Sequence, residues 1–250
     1  MPIIVKGIII DNEAPLVCVP VTDAQQIGII DSAKRLRDAG VKCIEWRADF
    51  YEDLLDSEKL RDTLEMLRDI TGEIVLIVTV RTRPQGGNID LTSDGLSRLL
   101  IEIATAHCAD FIDMEYFNFE RPLTLIGQLH EKGAFVIASW HDFNKTPEET
   151  EMMALLSEMK GGDPDIVKLA VMPGQKKDVF SLMKVVSEFK EIEKIPVIAM
   201  SMGQTGAVSR IVGEAFGSCI TFGKGKDKSA PGQIDFEKLS LVTKRIHECL

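Results

Sequence analysis

The sequence predicts an α/β fold, a (β/α)8 barrel. Three observations carry this: eight short apolar runs, eight amphipathic stretches that alternate with them, and a chain of 250 residues. Strands with helices over one face and a barrel interior behind the other have no water-facing side, so they read as unbroken apolar segments, and such barrels take about 250 residues. An open doubly wound sheet is the alternative. It is disfavoured because the first run leads into Pro20, Val21 and Thr22 rather than a glycine-rich phosphate turn.

Residues 1–10 are expected to add a strand or cap outside the barrel. The barrel strands are then read at 16–19, 43–46, 74–80, 111–114, 134–140, 166–171, 196–200 and 219–222, each short enough to cross a core once. Helical patterns lie near 23–39, 57–70, 93–107, 121–132, 147–160, 176–190, 206–216 and 235–249. Thr146, Pro147 and Glu149 read as a capping box with proline at the first helical position. Gly40, Gly72, Gly133, Gly161 and Gly217 each follow a helical pattern, as left-handed C-caps do. No Pro/Ser-rich linker or charge block interrupts the chain, so residues 1–250 read as one barrel catalytic domain.

Composition narrows the function. Lys and Arg total 29 against 39 Asp and Glu, a net charge of −10, which repels phosphate backbones and anionic lipid. Neither nucleic acid nor a membrane is an expected partner. The longest apolar run near the start, residues 7–10, falls far short of the roughly 20 residues of a membrane span, and a cytoplasmic location is expected. Cys18, Cys43, Cys108, Cys219 and Cys249 are scattered, which suits a reducing compartment. The four histidines show no ligand spacing, so local sequence offers no metal site.

Barrel chemistry collects at the C-terminal ends of the strands, and here those ends are polar: Glu45, Arg47, Asp49, Arg81, Asp113, Glu115, His141, Asp142, Lys168, Ser201 and Lys224. Lys168 is the sharpest signal, because Asp-Ile-Val-Lys-Leu-Ala-Val flanks it with apolar residues. An ammonium there either pairs with a carboxylate such as Glu45 or loses its proton; a desolvated amine can attack a ketone. His141, on the preceding strand, is placed to exchange protons or simply to hydrogen-bond at a strand end. Glu45 and Arg47 share a strand face, as an internal salt bridge or as ligand contacts. Arg47, Arg81 and Arg210 are structural if taken singly; together at one mouth they would select a carboxylated, hydroxylated small molecule. Residues 222–233, F-G-K-G-K-D-K-S-A-P-G-Q, follow the last strand, the usual place for a phosphate cup or closing loop. Gly86 and Gly87 read as turn residues, and Met152, Met153 and Met159 as helix packing.

These residues fall into six ordered segments: E-W-R-A-D at 45–49, R-T at 81–82, S-W-H-D-F at 139–143, V-K-L-A at 167–170, M-S-M-G at 200–203 leading to Ser209 and Arg210, and S-A-P-G-Q at 229–233. On them the chain resembles the type I 3-dehydroquinate dehydratases over essentially its whole length. The resemblance implies a Schiff base between Lys168 and the C3 ketone of 3-dehydroquinate. His141 is then acid and base for iminium formation, proton abstraction at C2 and departure of the C1 hydroxyl. It also implies that Arg210 holds the substrate carboxylate, that Glu45, Arg47 and Arg81 order the ring hydroxyls, that Ser229 and Gln233 close over the substrate, and that Met200, Met202 and Phe222 form an apolar wall. No metal or dissociable cofactor is then required, and a homodimer is expected. Many members of that family carry Glu where this chain has Gln85. The expected consequence is a His141 oriented by a hydrogen bond from Gln85, or by another carboxylate, and titrating lower than with Glu. Two other functions share a buried barrel lysine, a class I aldolase or transaldolase and a non-catalytic barrel that binds a carboxylated metabolite.

Overall fold

The computed structural model describes residues 3–10, 15–225 and 229–250. An antiparallel hairpin comes first, β1 (Ile3–Val5) and β2 (Ile8–Ile10), with Ile3 opposite Ile10. Lys6 and Gly7 form its two-residue turn at φ 50° and 73°, the left-handed pair whose twist matches that of the flanking strands. The expected N-terminal strand or cap is therefore a hairpin, separate from the barrel sheet.

Eight parallel strands follow: β3 (Leu16–Val21), β4 (Cys43–Arg47), β5 (Val75–Thr79), β6 (Phe111–Glu115), β7 (Phe135–Asp142), β8 (Ile166–Val171), β9 (Val197–Ser201) and β10 (Ile220–Phe222). They run in the order β10-β3-β4-β5-β6-β7-β8-β9. The seam between β9 and β10 is narrow. It is spanned by the Val197–Ser218 bridge, by Cys219 N donating to Val197 O at 2.8 Å and by Ala199 N donating to the Ser218 hydroxyl at 3.0 Å. The fold is a nearly closed (β/α)8 barrel.

Helices α1 (Gln26–Asp38), α2 (Ser57–Thr71), α3 (Ser93–Thr105), α4 (Pro122–Glu131), α5 (Glu149–Gly161) and α6 (Lys176–Ile192) connect successive strands. Asp56 and Thr92 cap α2 and α3 by accepting first-turn amides, groups that otherwise have no intrahelical partner. The expected capping box at Thr146 does not form: α5 is preceded by Glu148, the Thr146 hydroxyl donates to Met172 O at 3.0 Å, and Glu149 meets Ser181 and Lys184 across the helix layer. Gly40, Gly72, Gly133 and Gly217 have positive φ as expected, whereas Gly161 closes α5 and the left-handed residue beyond it is Asp163 at φ 60°.

The helix expected over 206–216 is broken into α7 (Gly203–Gly206), α8 (Ser209–Val212) and a 3-10 turn at Gly213–Phe216. A Cβ on Gly206 would overlap the Ser201 backbone, and the Ser209 hydroxyl ties Gly206 O at 2.7 Å to Ser201 N at 2.9 Å. This close approach turns the chain back over the barrel mouth and brings Arg210 inside. The final helix, α9 (Phe236–His247), packs against β3 and α8.

Strand alternation divides the core. Ile44, Trp46, Leu76, Val78, Ile112 and Met114 join the apolar layer beneath the helices, which also holds Met152 and Met159. The other face of the strands is apolar near their N-terminal ends, with Cys18, Cys43, Val75, Phe111, Ile166 and Ile198 packed against Ile3, Val5 and Ile10 of the hairpin. The hairpin is thus the barrel floor. Further along the same inward rows the residues become Glu45, Asp113, Ser139 and Lys168, all nearly or fully buried.

Candidate active site

Lys168 projects from β8, with Ser139 of β7 beside it in register and His141 two residues further along that strand. Its Nζ donates to Asp113 Oδ2 at 2.8 Å and lies 3.5 Å from Glu45 Oε1. It also sits 4.5 Å from the centroid of the Phe222 ring, within cation–π range. The sequence offers Glu45 as one possible carboxylate for this lysine, and the nearer partner is Asp113. Thr79 explains part of the difference, since its hydroxyl donates to Glu45 Oε1 at 2.9 Å and anchors that carboxylate to β5.

Asp113 is the hub. Its Oδ1 accepts from Arg81 Nη2 at 2.7 Å and from the Ser139 hydroxyl at 2.6 Å. Burial alone would raise its pKa, yet the Arg81 and Lys168 charges outweigh that and hold it well below the usual carboxylate range. Arg81 reaches Glu115 Oε1 with its other amino group at 3.2 Å. The Asp113, Glu115 and Glu45 charges outweigh its desolvation and raise its pKa. Glu115 in turn accepts from Thr82 N at 2.9 Å and the Thr82 hydroxyl at 2.6 Å, and from Asn118. Arg47 is clamped in a fork by Asp49, with both contacts at 2.8 Å.

Arg210 differs from the other two arginines. Its side chain is buried, yet its contacts are only Met200 Sδ and Phe222 O at 3.4 Å and Pro231 O at 3.3 Å. It has no carboxylate partner among the described residues, where its Nε also lacks any hydrogen bond. Desolvation lowers its pKa to about 10. A buried cation held only by long carbonyl and sulfur contacts keeps the capacity to pair with an anion.

His141 donates its backbone N–H to Gln85 Oε1 at 2.9 Å, and its Nδ1 lies 3.1 Å from the same oxygen. The obligatory backbone donor identifies that amide atom as oxygen, so Nδ1 carries the proton and Nε2 keeps its lone pair. Gln85 is therefore the acceptor in this pair, not the donor that the sequence suggests. Desolvation, with the nearby Arg81 and Lys168 charges, pushes the His141 pKa well below its ordinary value.

Glu45, Arg47, Arg81, His141, Lys168, Met202, Arg210, Phe222, Ser229 and Gln233 all line one cavity at the C-terminal mouth, with Met200 and Gln85. Gly86, expected to serve only as a turn, also reaches it; its φ is 81° and a Cβ would overlap the Phe143 ring. Gln233 ties the covering loop together by accepting from Ser229 N at 2.8 Å and donating to the Ser229 hydroxyl at 3.0 Å. Of the glycine-rich segment, residues 226–228 lie outside the described residues. In the sequence Asp113 and Glu115 stand out only as strand-end charges, and nothing local assigns a role to Thr79, Thr82 or Asn118. The inward spacing of 111, 113 and 115 was the available signal.

A catalogued family model for type I 3-dehydroquinase matches residues 17–248. The chain belongs to the type I 3-dehydroquinase family. It is 40% identical over 248 residues to the 3-dehydroquinate dehydratase of Clostridium botulinum, covering 98% of this chain and 97% of that one. Among solved structures, the type I 3-dehydroquinate dehydratase of Clostridioides difficile with covalently modified comenic acid superposes at a TM-score of 0.96, with 37% identity and coverage of 100% of this chain and 99% of that one. The 3-dehydroquinate dehydratase of Geobacillus kaustophilus also gives 0.96, at 32% identity and coverage of 99% and 97%.

Proposed function

We propose that this 3-dehydroquinase-family chain eliminates water from 3-dehydroquinate to give 3-dehydroshikimate, through an iminium on Lys168. The observation that carries the reading is the buried Lys168 ammonium on Asp113, beside a neutral His141 whose Nε2 is left free by Gln85. Arg210 supplies the seat for the substrate carboxylate. Arg47, held by Asp49, and Arg81, held by Asp113 and Glu115, present fixed donors to the ring hydroxyls with Glu45.

In the first step His141 takes a proton from the Lys168 ammonium, the freed nitrogen bonds to the C3 carbon, and the ketone oxygen leaves as water with that proton and a second one from the nitrogen. His141 Nε2 then takes the C2 proton, the C2–H pair becomes the C2=C3 bond, and the C=N pair moves onto nitrogen to leave an enamine. The nitrogen pair then re-forms C=N and the C2=C3 pair forms the C1=C2 bond as the C1 hydroxyl departs, protonated by the same imidazole. Hydrolysis of the conjugated iminium restores Lys168. The iminium acidifies C2–H and divides one difficult elimination into easier steps. Water exclusion by Phe222, Met202 and the 229–233 loop strengthens the charges on which these steps depend.

Residues 1–250 are read as one catalytic barrel domain, acting as a homodimer on a carboxylated small molecule, in a reducing cytoplasm that suits its scattered cysteines. Incubation with 3-dehydroquinate and borohydride, followed by intact mass and peptide mapping, tests the chemistry. A reduced adduct on Lys168 is expected, together with no adduct and no turnover in Lys168→Ala. Turnover without an adduct would refute the covalent route; neither turnover nor adduct would favour an aldolase or a binding protein. Sedimentation velocity tests the dimer.

A further inference from the structure

We infer that Asp113 is the counter-ion of the Lys168 iminium, the group that keeps the covalent intermediate protonated while His141 works on the substrate carbons. The inference rests on the Schiff-base reading above and concerns what happens at nitrogen. When the ammonium condenses with a ketone, two of its three protons leave with the oxygen as water and one stays on the iminium nitrogen. That N–H retains the positive charge and needs one acceptor. In the resting site Asp113 Oδ2 already lies 2.8 Å from Nζ, whereas Glu45 Oε1 lies at 3.5 Å and is occupied by Thr79.

Asp113 is also held in place. Arg81 and Ser139 fix its other oxygen, so Oδ2 stays directed at the nitrogen while the lysine chain is loaded. The depressed pKa of Asp113 keeps it ionised throughout the working pH range. Other charged or titratable groups face Nζ from each neighbouring strand. Glu45 comes from β4, Arg81 from the end of β5, Glu115 from β6 beside Asp113, and His141 from β7. Cys18 on β3 is a buried thiol whose pKa burial pushes up. Met200 and Phe222 close the remaining side, with Arg210 beyond them. Arg81 and Arg210 are cations and oppose an iminium charge, Glu115 is spent on Arg81 and Thr82, and Asp113 alone of these carboxylates is within hydrogen-bond distance of Nζ.

The test is a pH series of short cyanoborohydride pulses on enzyme saturated with 3-dehydroquinate, since this reagent reduces the protonated imine. In Asp113→Asn the trapped fraction should fall away at a pH at least one unit lower than in wild type, a tenfold loss of proton affinity at the imine. Asp113→Glu should recover most of that shift, and Glu45→Gln should move the profile less than Asp113→Asn. An Asp113→Asn profile that coincides with wild type, or a larger shift in Glu45→Gln, overturns the assignment. Should circular dichroism find the Asn variant unfolded, Ser139→Ala decides: a smaller shift in the same direction supports Asp113, and coincidence with wild type refutes it. A wild-type enzyme that traps nothing at any pH would instead remove the Schiff-base reading itself.

Discussion

Replacing Arg210 by Met should make the substrate-free protein more stable and the enzyme worse at binding, two effects of opposite sign from one side chain. The guanidinium is buried without a carboxylate, and desolvation lowers its pKa to about 10. Set against the free side chain, at about 1.4 kcal/mol per pH unit, that fall corresponds to roughly 3 kcal/mol of unfavourable burial. A folded pKa below the unfolded one means that the penalty is complete at every pH below about 10 and fades only as pH rises toward the unfolded value. Losing the long contacts to Phe222 O and Pro231 O takes back part of this. A net gain of about 1–2 kcal/mol then remains, or a Tm raised by about 2–8 °C for a chain of this size. A substrate carboxylate would lose charge-assisted hydrogen bonds worth roughly 1.5–3 kcal/mol, so KM should rise by about 10- to 150-fold. Differential scanning calorimetry of the free protein and steady-state kinetics read the two effects separately. A lower Tm would mean that the carbonyl contacts satisfy the cation, and an unchanged KM would put the substrate carboxylate elsewhere.

Gln85→Glu should move the acidic limb of the kcat/KM profile to higher pH, because a carboxylate on Nδ1 favours the imidazolium and the base must be neutral to act; an acidic limb that stays put or moves down would contradict the Gln85–His141 contact. Gly206→Ala should force the α7–α8 turn off the Ser201 backbone, costing about 1–3 kcal/mol in urea unfolding and raising KM through the displaced Arg210. A stable variant with normal KM would show that the turn does not set the arginine's position.

The barrel was legible because its signals are local. Eight apolar runs at strand length, separated by helical periods, need no knowledge of what lies across the core. The same holds for the alternation that sent Glu45 and Arg47 inward while Ile44 and Trp46 went to the helix layer. Misreadings arose where a tertiary contact overrode a local pattern. Thr146 found Met172 O instead of its own helix. A helical stretch over 206–216 gave way to a turn that Gly206 and Ser209 hold against β9.

Local pattern along the chain was enough to specify the barrel, the polar character of its C-terminal mouth, and the residues available there. Which charge neutralises which was decided only by the tertiary structure. Lys168 and Asp113 stand 55 positions apart, and nothing in the spacing prefers Asp113 over Glu45 as the nearer partner. Barrel register settles it, together with Thr79 drawing Glu45 toward β5. In the same way three arginines look alike in the sequence, but two meet carboxylates and one is left facing the cavity. Hydrophobic period is a property of neighbours along the chain, whereas ion pairing acts through space over a few ångströms, and only the folded chain sets those distances.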